Sequence, residues 1–461
     1  MNVAVSTSSP VATRLAAFAA EALPSAAATA VCRRLLFDII ALAIAARNTD
    51  YVQAVLGSAV DDGPCTAFGH ERTLGLYDAA LVNGTAAHGE DYDDTFEGGP
   101  IHAGAVIVSA VMAIAEKRKL DGRAVMRGIA VGTELMCRMS LVAPQATHKA
   151  SFHPTAIFGA PAAAAAVGTA LGLDSGRIAR ALGISGSLAS GIIEYLADGS
   201  STKRLHAGAA AQAGLRAALL AEGGFMGPLT VFDGTNGMYK AFAPSKAADF
   251  SHLVDGLGKE WILETLAFKP YACGTMTQPF IDCARMLAKA GVKADDIVAI
   301  TCNVGEGTVH RLWEPLAEKH RPPNGYAGKF STPYCIAVGF TDGEAGLGQF
   351  TDERVLDPAL RTLAAKISYE IDPNDPYPRS FTGHIRAVLK DGSVCEFRQP
   401  HMRGGAHEPL PDVELQAKFE ANLRFGGLTA ERINALRAGL DRIADGGHVD
   451  LSAARSQAEV K

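Results

Sequence analysis

Between residues 11 and about 260, apolar residues recur at three- and four-residue spacing, alanine is abundant, and glycine or proline punctuates the pattern roughly every fifteen to twenty residues. That period is the repeat of a helix buried along one face, so the first large body is expected to be all α. Beyond Trp261 the texture changes. β-Branched runs lie at Asp296–Val304 and Lys366–Ile371, and alternation over His384–Lys390 is followed by Asp391-Gly392, a two-residue hairpin turn, and a return over Val394–Phe397. Helices are expected to interrupt this stretch near Gln278–Ala290 and Pro333–Val338, and helical periodicity resumes from Pro411. The expected fold is mainly α: a helical domain over 1–264, a smaller α+β domain over 265–401, and C-terminal helices over 402–461 returning to the helical body, with a frayed tail from Ser456.

Composition narrows the function. The 461 residues are 48% hydrophobic and 20% charged with a net charge of −6, and no basic block exceeds Lys117-Arg118-Lys119, which argues against nucleic acid as a partner. Eight cysteines without a C-x-x-C pair point to neither a disulfide framework nor a zinc knuckle, and suit a reducing cytoplasm. The early residues lack the pattern of a secretory leader, since Glu21 interrupts the first apolar stretch. The apolar run Thr155–Leu173 is long, but it consists mostly of small residues, contains Pro161 and lacks basic anchors; it reads as a buried helix, not a membrane span.

Titratable residues gather in a few places. His88-Gly-Glu-Asp91-Tyr-Asp93-Asp94-Thr95, closed by Gly98-Gly99-Pro100, precedes His102 and an apolar helix expected from Ala105 to about Glu116. If the first segment is helical up to its Gly-Gly-Pro stop, His88, Asp91 and Thr95 share a face, and the free N–H groups of the next helix lie near His102, ready for an anion. Ser151-Phe152-His153-Pro154 places a histidine before a proline at a first helical position, and Asp198 to His206 starts a helix with capping residues, Lys203 and, one turn on, His206. A helix amino end favours anions and holds a neighbouring histidine neutral, able to accept a proton near pH 7. The cluster Asp91, Asp93, Asp94 lacks the ligand spacing and turn glycine of a hard-cation loop, so no metal is expected. The glycine-rich stretch Gly183–Gly191 does not have the dinucleotide spacing and reads as close helix packing.

Together with Phe268-Lys269-Pro270-Tyr271-Ala-Cys273-Gly274 and Lys329-Phe-Ser-Thr-Pro-Tyr334, these blocks resemble, in order and over nearly the whole chain, the MmgE/PrpD family, which includes 2-methylcitrate dehydratases, cis-aconitate decarboxylases and iminodisuccinate epimerases. The resemblance implies a large helical domain with a smaller α+β lid, a homodimer, a cytoplasmic or organellar enzyme needing no cofactor, and a cleft for a small polycarboxylate. Carried over position by position, it implies a site of Asp91, Thr95, His102, His153, Lys203 and Lys269, with Tyr271 as a neighbour. The chain departs from the decarboxylases at Gly274, where they carry a histidine; Gln278 also stands where relatives often place a histidine, and the spacing from Thr95 to His102 is one residue longer.

Removing a proton beside a carboxylate leaves charge on its oxygens, which fixed cations such as Lys203 and Lys269 would hold. His102 and His153 are the expected proton-transfer pair, with Asp91 orienting a histidine, Tyr271 as a further catalytic candidate, and Thr95 and His206 beside the substrate. The chemistry fits a hydro-lyase acting on a 2-methylcitrate- or citrate-like acid first, an epimerase of a substituted succinate next, and a decarboxylase third. A catalytically silent helical dimer is the alternative outside enzymes.

Overall fold

The computed structural model describes residues 9–455, so the tail expected from Ser456 lies outside the described residues. The chain divides into two compact units: residues 1–89, 93–266 and 415–461 form one, and residues 90–92 with 267–414 form the other.

The first unit is mainly helical, but not all α as its periodicity suggests: Asp62–Thr66 and Thr73–Leu74 pair as a short antiparallel two-stranded sheet, too brief to interrupt the helical pattern of the sequence around it. Its main helices are α1 (Val11–Glu21), α2 (Ala26–Ala45), α3 (Leu76–Gly89), α4 (Ala103–Arg118), α5 (Gly122–Val142), α6 (Pro154–Ala170), α7 (Ser175–Ser185) and α8 (Thr202–Glu222). Capping residues set several starts: Ser25 accepts the Ala28 N–H, Asp121 the Ala124 N–H and Asp174 the Arg177 N–H, each at 2.9 Å. Pro154 occupies the first turn of α6, where its missing N–H costs nothing. Every residue of α6 is buried, which is the outcome expected for the alanine-rich run. Among the described residues no helix is long and apolar enough to cross a membrane.

Small residues let these buried helices touch backbone to backbone. α8 packs on α3, α6 and α7. A Cβ at Gly208 of α8 would fall 2.1 Å from the Leu81 carbonyl oxygen of α3, and one at Gly214 would fall 2.4 Å from that of Ala160 in α6. Gly183, in the stretch expected to serve close packing, leaves 2.5 Å between its own notional Cβ and the Pro228 carbonyl oxygen. The approach of α3, α6 and α8 brings the carboxyl end of α3 and the amino ends of α6 and α8 into one neighbourhood.

The second unit holds a four-stranded sheet of β1 (Ile297–Val304), β2 (Ile367–Ile371), β3 (Gly383–Leu389) and β4 (Val394–Gln399), in the order β2-β1-β3-β4. β1 runs parallel to β2, with Ile300 opposite Ile367, and antiparallel to β3, with Ile300 opposite Ala387. The β3–β4 hairpin pairs Ile385 with Phe397, and Gly392 takes the positive φ of 84° its turn requires. Helix α9 (Gln278–Lys289) covers β3 and β4 and packs on α10 (Thr332–Asp342). Helix α11 (Asp412–Phe425) carries the chain to the first unit, and α12 (Ala430–Ala444) follows. There the buried Lys418 of α11 pairs with Asp38 of α2 at 2.9 Å.

Candidate active site

Helix α3 ends at Gly89 and does not continue to Gly98-Gly99-Pro100 as its sequence suggests. Gly89 lies against the Tyr51 ring, where a Cβ would fall 2.3 Å from ring atoms. Asp91 then adopts φ 54°, which a right-handed helix cannot include. Asp91 and Thr95 therefore do not extend the helical face of His88. Past this turn the Asp93 carboxylate accepts the His88 Nδ1–H at 2.8 Å. Asp94 accepts the N–H groups of Ala103 and Gly104 at 3.0 and 2.9 Å. The amino end of α4, expected to offer free N–H groups to an anion, is thus capped by the chain's own carboxylate. Burial first, then the neighbouring Asp93, push the Asp94 carboxyl above its ordinary range, against those two N–H donors.

Four histidines of the first unit stand in a row. His102 is the N-cap of α4, His153 the N-cap of α6, His88 lies in the last turn of α3, and His206 in the first turns of α8. The ring centroids of His88 and His102 are 4.8 Å apart, those of His88 and His153 5.8 Å, and those of His153 and His206 5.2 Å. All four are buried, and Tyr195 closes the far end at 6.2 Å from His153 and 5.8 Å from His206. His102 Nδ1 stands 2.7 Å from the Asp94 carbonyl oxygen and 3.6 Å from Asp93 Oδ1. A carbonyl oxygen can only accept, so in the neutral ring Nδ1 carries the proton and Nε2 the lone pair. The His102 N–H donates to Thr155 Oγ1 at 3.2 Å.

His153 Nδ1 and His206 Nδ1 lie 3.1 Å apart, so one donates to the other. Burial, then the neighbouring His88 and Lys203, hold both rings below the ordinary imidazole value, His153 far below and His206 at about 4. Burial is the first cause for both rings and favours their neutral forms; the sequence pattern points instead to the helix end. Lys203 sits in the first turn of α8, one turn before His206, and Thr95 is buried in the loop that carries Asp93 and Asp94.

The other site residues expected from sequence lie in the second unit. The fully buried Lys269 donates to the Asp91 carbonyl oxygen at 2.9 Å and to Asp91 Oδ1 at 3.2 Å. Lys329, equally buried, donates to the Glu90 carbonyl oxygen at 2.8 Å and pairs with its carboxylate at 2.9 Å. Tyr92 donates to the Pro270 carbonyl oxygen at 3.0 Å. Residues 90–92 are thus pinned by two ammonium groups. The Tyr271 hydroxyl donates to Asp282 at 2.5 Å and accepts from Arg285 at 2.6 Å and Arg403 at 3.1 Å. Burial and Asp282 raise its pKa, which makes it a poor proton donor.

His102, His153 and His206 are therefore brought together, while Asp91 pairs with Lys269. Asp93 is hydrogen-bonded to a histidine, His88. Sequence reading passed over His88 and Asp93 as a pair because their five-residue separation brings side chains together only when a turn follows the helix. Side-chain atoms of His88, Asp93 and His102 lie within 4.8 Å of one another, a spacing that admits a metal ion. Both Nδ1 atoms sit at hydrogen-bond distance from oxygens, so a cation bound through them would have to displace two protons. Nor do the three aspartates converge on one point: Asp91 faces Lys269, Asp93 faces His88, and Asp94 caps α4.

Family models match both parts of the chain: the MmgE/PrpD N-terminal domain over residues 11–251 and the MmgE/PrpD C-terminal domain over residues 271–442. The cis-aconitate decarboxylase of Aspergillus terreus is 29% identical over 447 residues, covering 89% of this chain and 88% of its own. The cis-aconitate decarboxylases of Mus musculus and Homo sapiens are 29% and 28% identical, each over 75% of this chain and over 71% and 72% of their own.

Proposed function

This chain belongs to the MmgE/PrpD family, and on that premise we propose that it is a cofactor-free lyase that removes a proton beside a carboxylate of a small di- or tricarboxylic acid and expels water. The observation that carries this reading is the 2.7 Å hydrogen bond made by His102, which implies its tautomer. Its Nδ1–H is held by the Asp94 carbonyl oxygen at 2.7 Å, which leaves the Nε2 lone pair as the base. Lys203 supplies a cation for the substrate carboxylate, whose negative charge grows as the proton leaves. His153 completes the reaction: if His206 donates to its Nδ1, the proton of neutral His153 sits on Nε2 and can pass to the departing hydroxyl, the imidazolate so formed regaining the proton that His102 took from the substrate.

The names of the relatives favour a second reading, decarboxylation of a cis-aconitate-like acid. Gly274 weighs against it, because it stands where the decarboxylases carry a histidine. A Cβ there would meet the Phe330 ring at 3.3 Å, which would have to shift slightly, and the Lys329 carbonyl oxygen at an ordinary 3.5 Å. Incubation with citrate, 2-methylcitrate, cis-aconitate and substituted succinates in D₂O, with EDTA present, separates the readings. Dehydration yields an alkene without CO₂. Stoichiometric CO₂ identifies a decarboxylase, deuterium in an inverted succinate identifies an epimerase, and activity lost to EDTA but restored by a divalent ion overturns the cofactor-free reading.

A further inference from the structure

We infer that Asp93, held by His88, is the positioning group for His102: its buried carboxylate aligns the ring and is the counter-charge for the imidazolium that forms when His102 takes a proton. The inference rests on the reading of His102 as the base.

The geometry supports it in three ways. First, Asp93 is shared, with Oδ2 2.8 Å from His88 Nδ1 and Oδ1 3.6 Å from His102 Nδ1. Both side chains of the Asp93–His88 pair are fully buried, so this charge acts where water screens it little. Second, His88 Nε2 is buried with no hydrogen-bond partner. A proton on that nitrogen would be an N–H with nothing to accept it, so the Nδ1–H tautomer is favoured and the ring donates to Asp93. Third, the His102 Nδ1–H already points at the loop that Asp93 and Asp94 share, through its 2.7 Å bond to the Asp94 carbonyl oxygen. When Nε2 receives the substrate's proton, positive charge spreads to Nδ1, and Asp93 is the carboxylate within reach of it. The groups around this ring are Asp93 and Asp94 from its own loop, His88 from α3, and Thr155 and His153 from α6.

His88 is thereby given a role the proton-transfer pair does not need from it directly. It fixes one oxygen of Asp93 so that the other faces His102, as an orienting carboxylate must be fixed to be useful.

In the full-length protein, Asp93→Asn is expected to lower kcat about a hundredfold or more while KM moves less than about threefold, and to add little in a His102→Gln background, because the two residues act as one unit. His88→Asn is expected to give a smaller loss in kcat. Long-range ¹H–¹⁵N spectra of the unsubstituted protein are expected to show His88 and His102 both protonated at Nδ1. Normal kcat in Asp93→Asn beside an inactive His102→Gln, or additive losses in the double variant, overturns the dyad and leaves the His102 reading standing. Normal kcat in His102→Gln removes that underlying reading instead. Should the asparagine variant fail to fold, the spectra decide: an Nε2-protonated His88 or His102 overturns the inference.

Discussion

At the scale of single residues, the site is an arrangement of neutral rings held by oxygens. His153 follows from the chain directly, since a histidine before a first-turn proline is placed at a helix start by local geometry alone. His153→Gln is expected to keep the fold and lower kcat by about a hundredfold to ten-thousandfold; an unchanged rate, or a loss traced to a lower melting temperature, would make it a structural cap. His206 makes a prediction about stability. Its value falls from the ordinary 6.5 to about 4 in the folded chain, so below pH 6.5 the unfolded chain binds a proton that the folded chain refuses. Stability contributed by this residue is therefore lost as pH falls from about 6.5 to about 4, and Asp94, raised in the folded state, acts with the opposite sign. Melting curves of His206→Asn should fall less steeply than those of the parent across that window; identical slopes would place the acid sensitivity elsewhere.

At the scale of elements, glycine decides how near α8 comes to α3. Gly208→Val would force a side chain into the Leu81 carbonyl oxygen, 2.1 Å from the first added carbon, and a backbone atom there cannot swing aside. A loss of ~2–3 kcal/mol is expected from overpacking, read as a lower urea midpoint at unchanged slope. A variant as stable as the parent would show that the helices separate at little cost. The helical period of α3 was plain in the sequence, but its end was not. Nothing in the residues from 90 to 97 forbids a further turn; the positive φ of Asp91 stops it, just past the Gly89 that packs on the Tyr51 ring.

For the whole molecule, the described chain buries two cores, one among helices and one between a sheet and its helices. The family resemblance supports a homodimer, and light scattering of the purified protein is expected to return twice the 48.1 kDa chain mass. A monomer at micromolar concentration would withdraw that proposal. The boundary between textures near Trp261 lies close to where the first unit gives way to the second at 266, because strand and helix periods are local properties. The three-residue excursion at 90–92 has no such signal, since it is fixed by Lys269 and Lys329, both far along the chain.

By itself the sequence determined the mainly helical class, the presence of strands in the second unit, their hairpin turn, and the histidines at the starts of α4 and α6, because periodicity, turn chemistry and helix capping act over a few neighbouring residues; that the sheet is mixed is a result of its long-range pairing. Tertiary structure decided which carboxylate serves which group. Asp91, Asp93 and Asp94 are nearly identical in sequence context, yet one meets a buried lysine, one a histidine and one a helix end. Hydrogen bonds of that kind depend on distances between segments that only packing sets, and a single residue of turn reassigns all three.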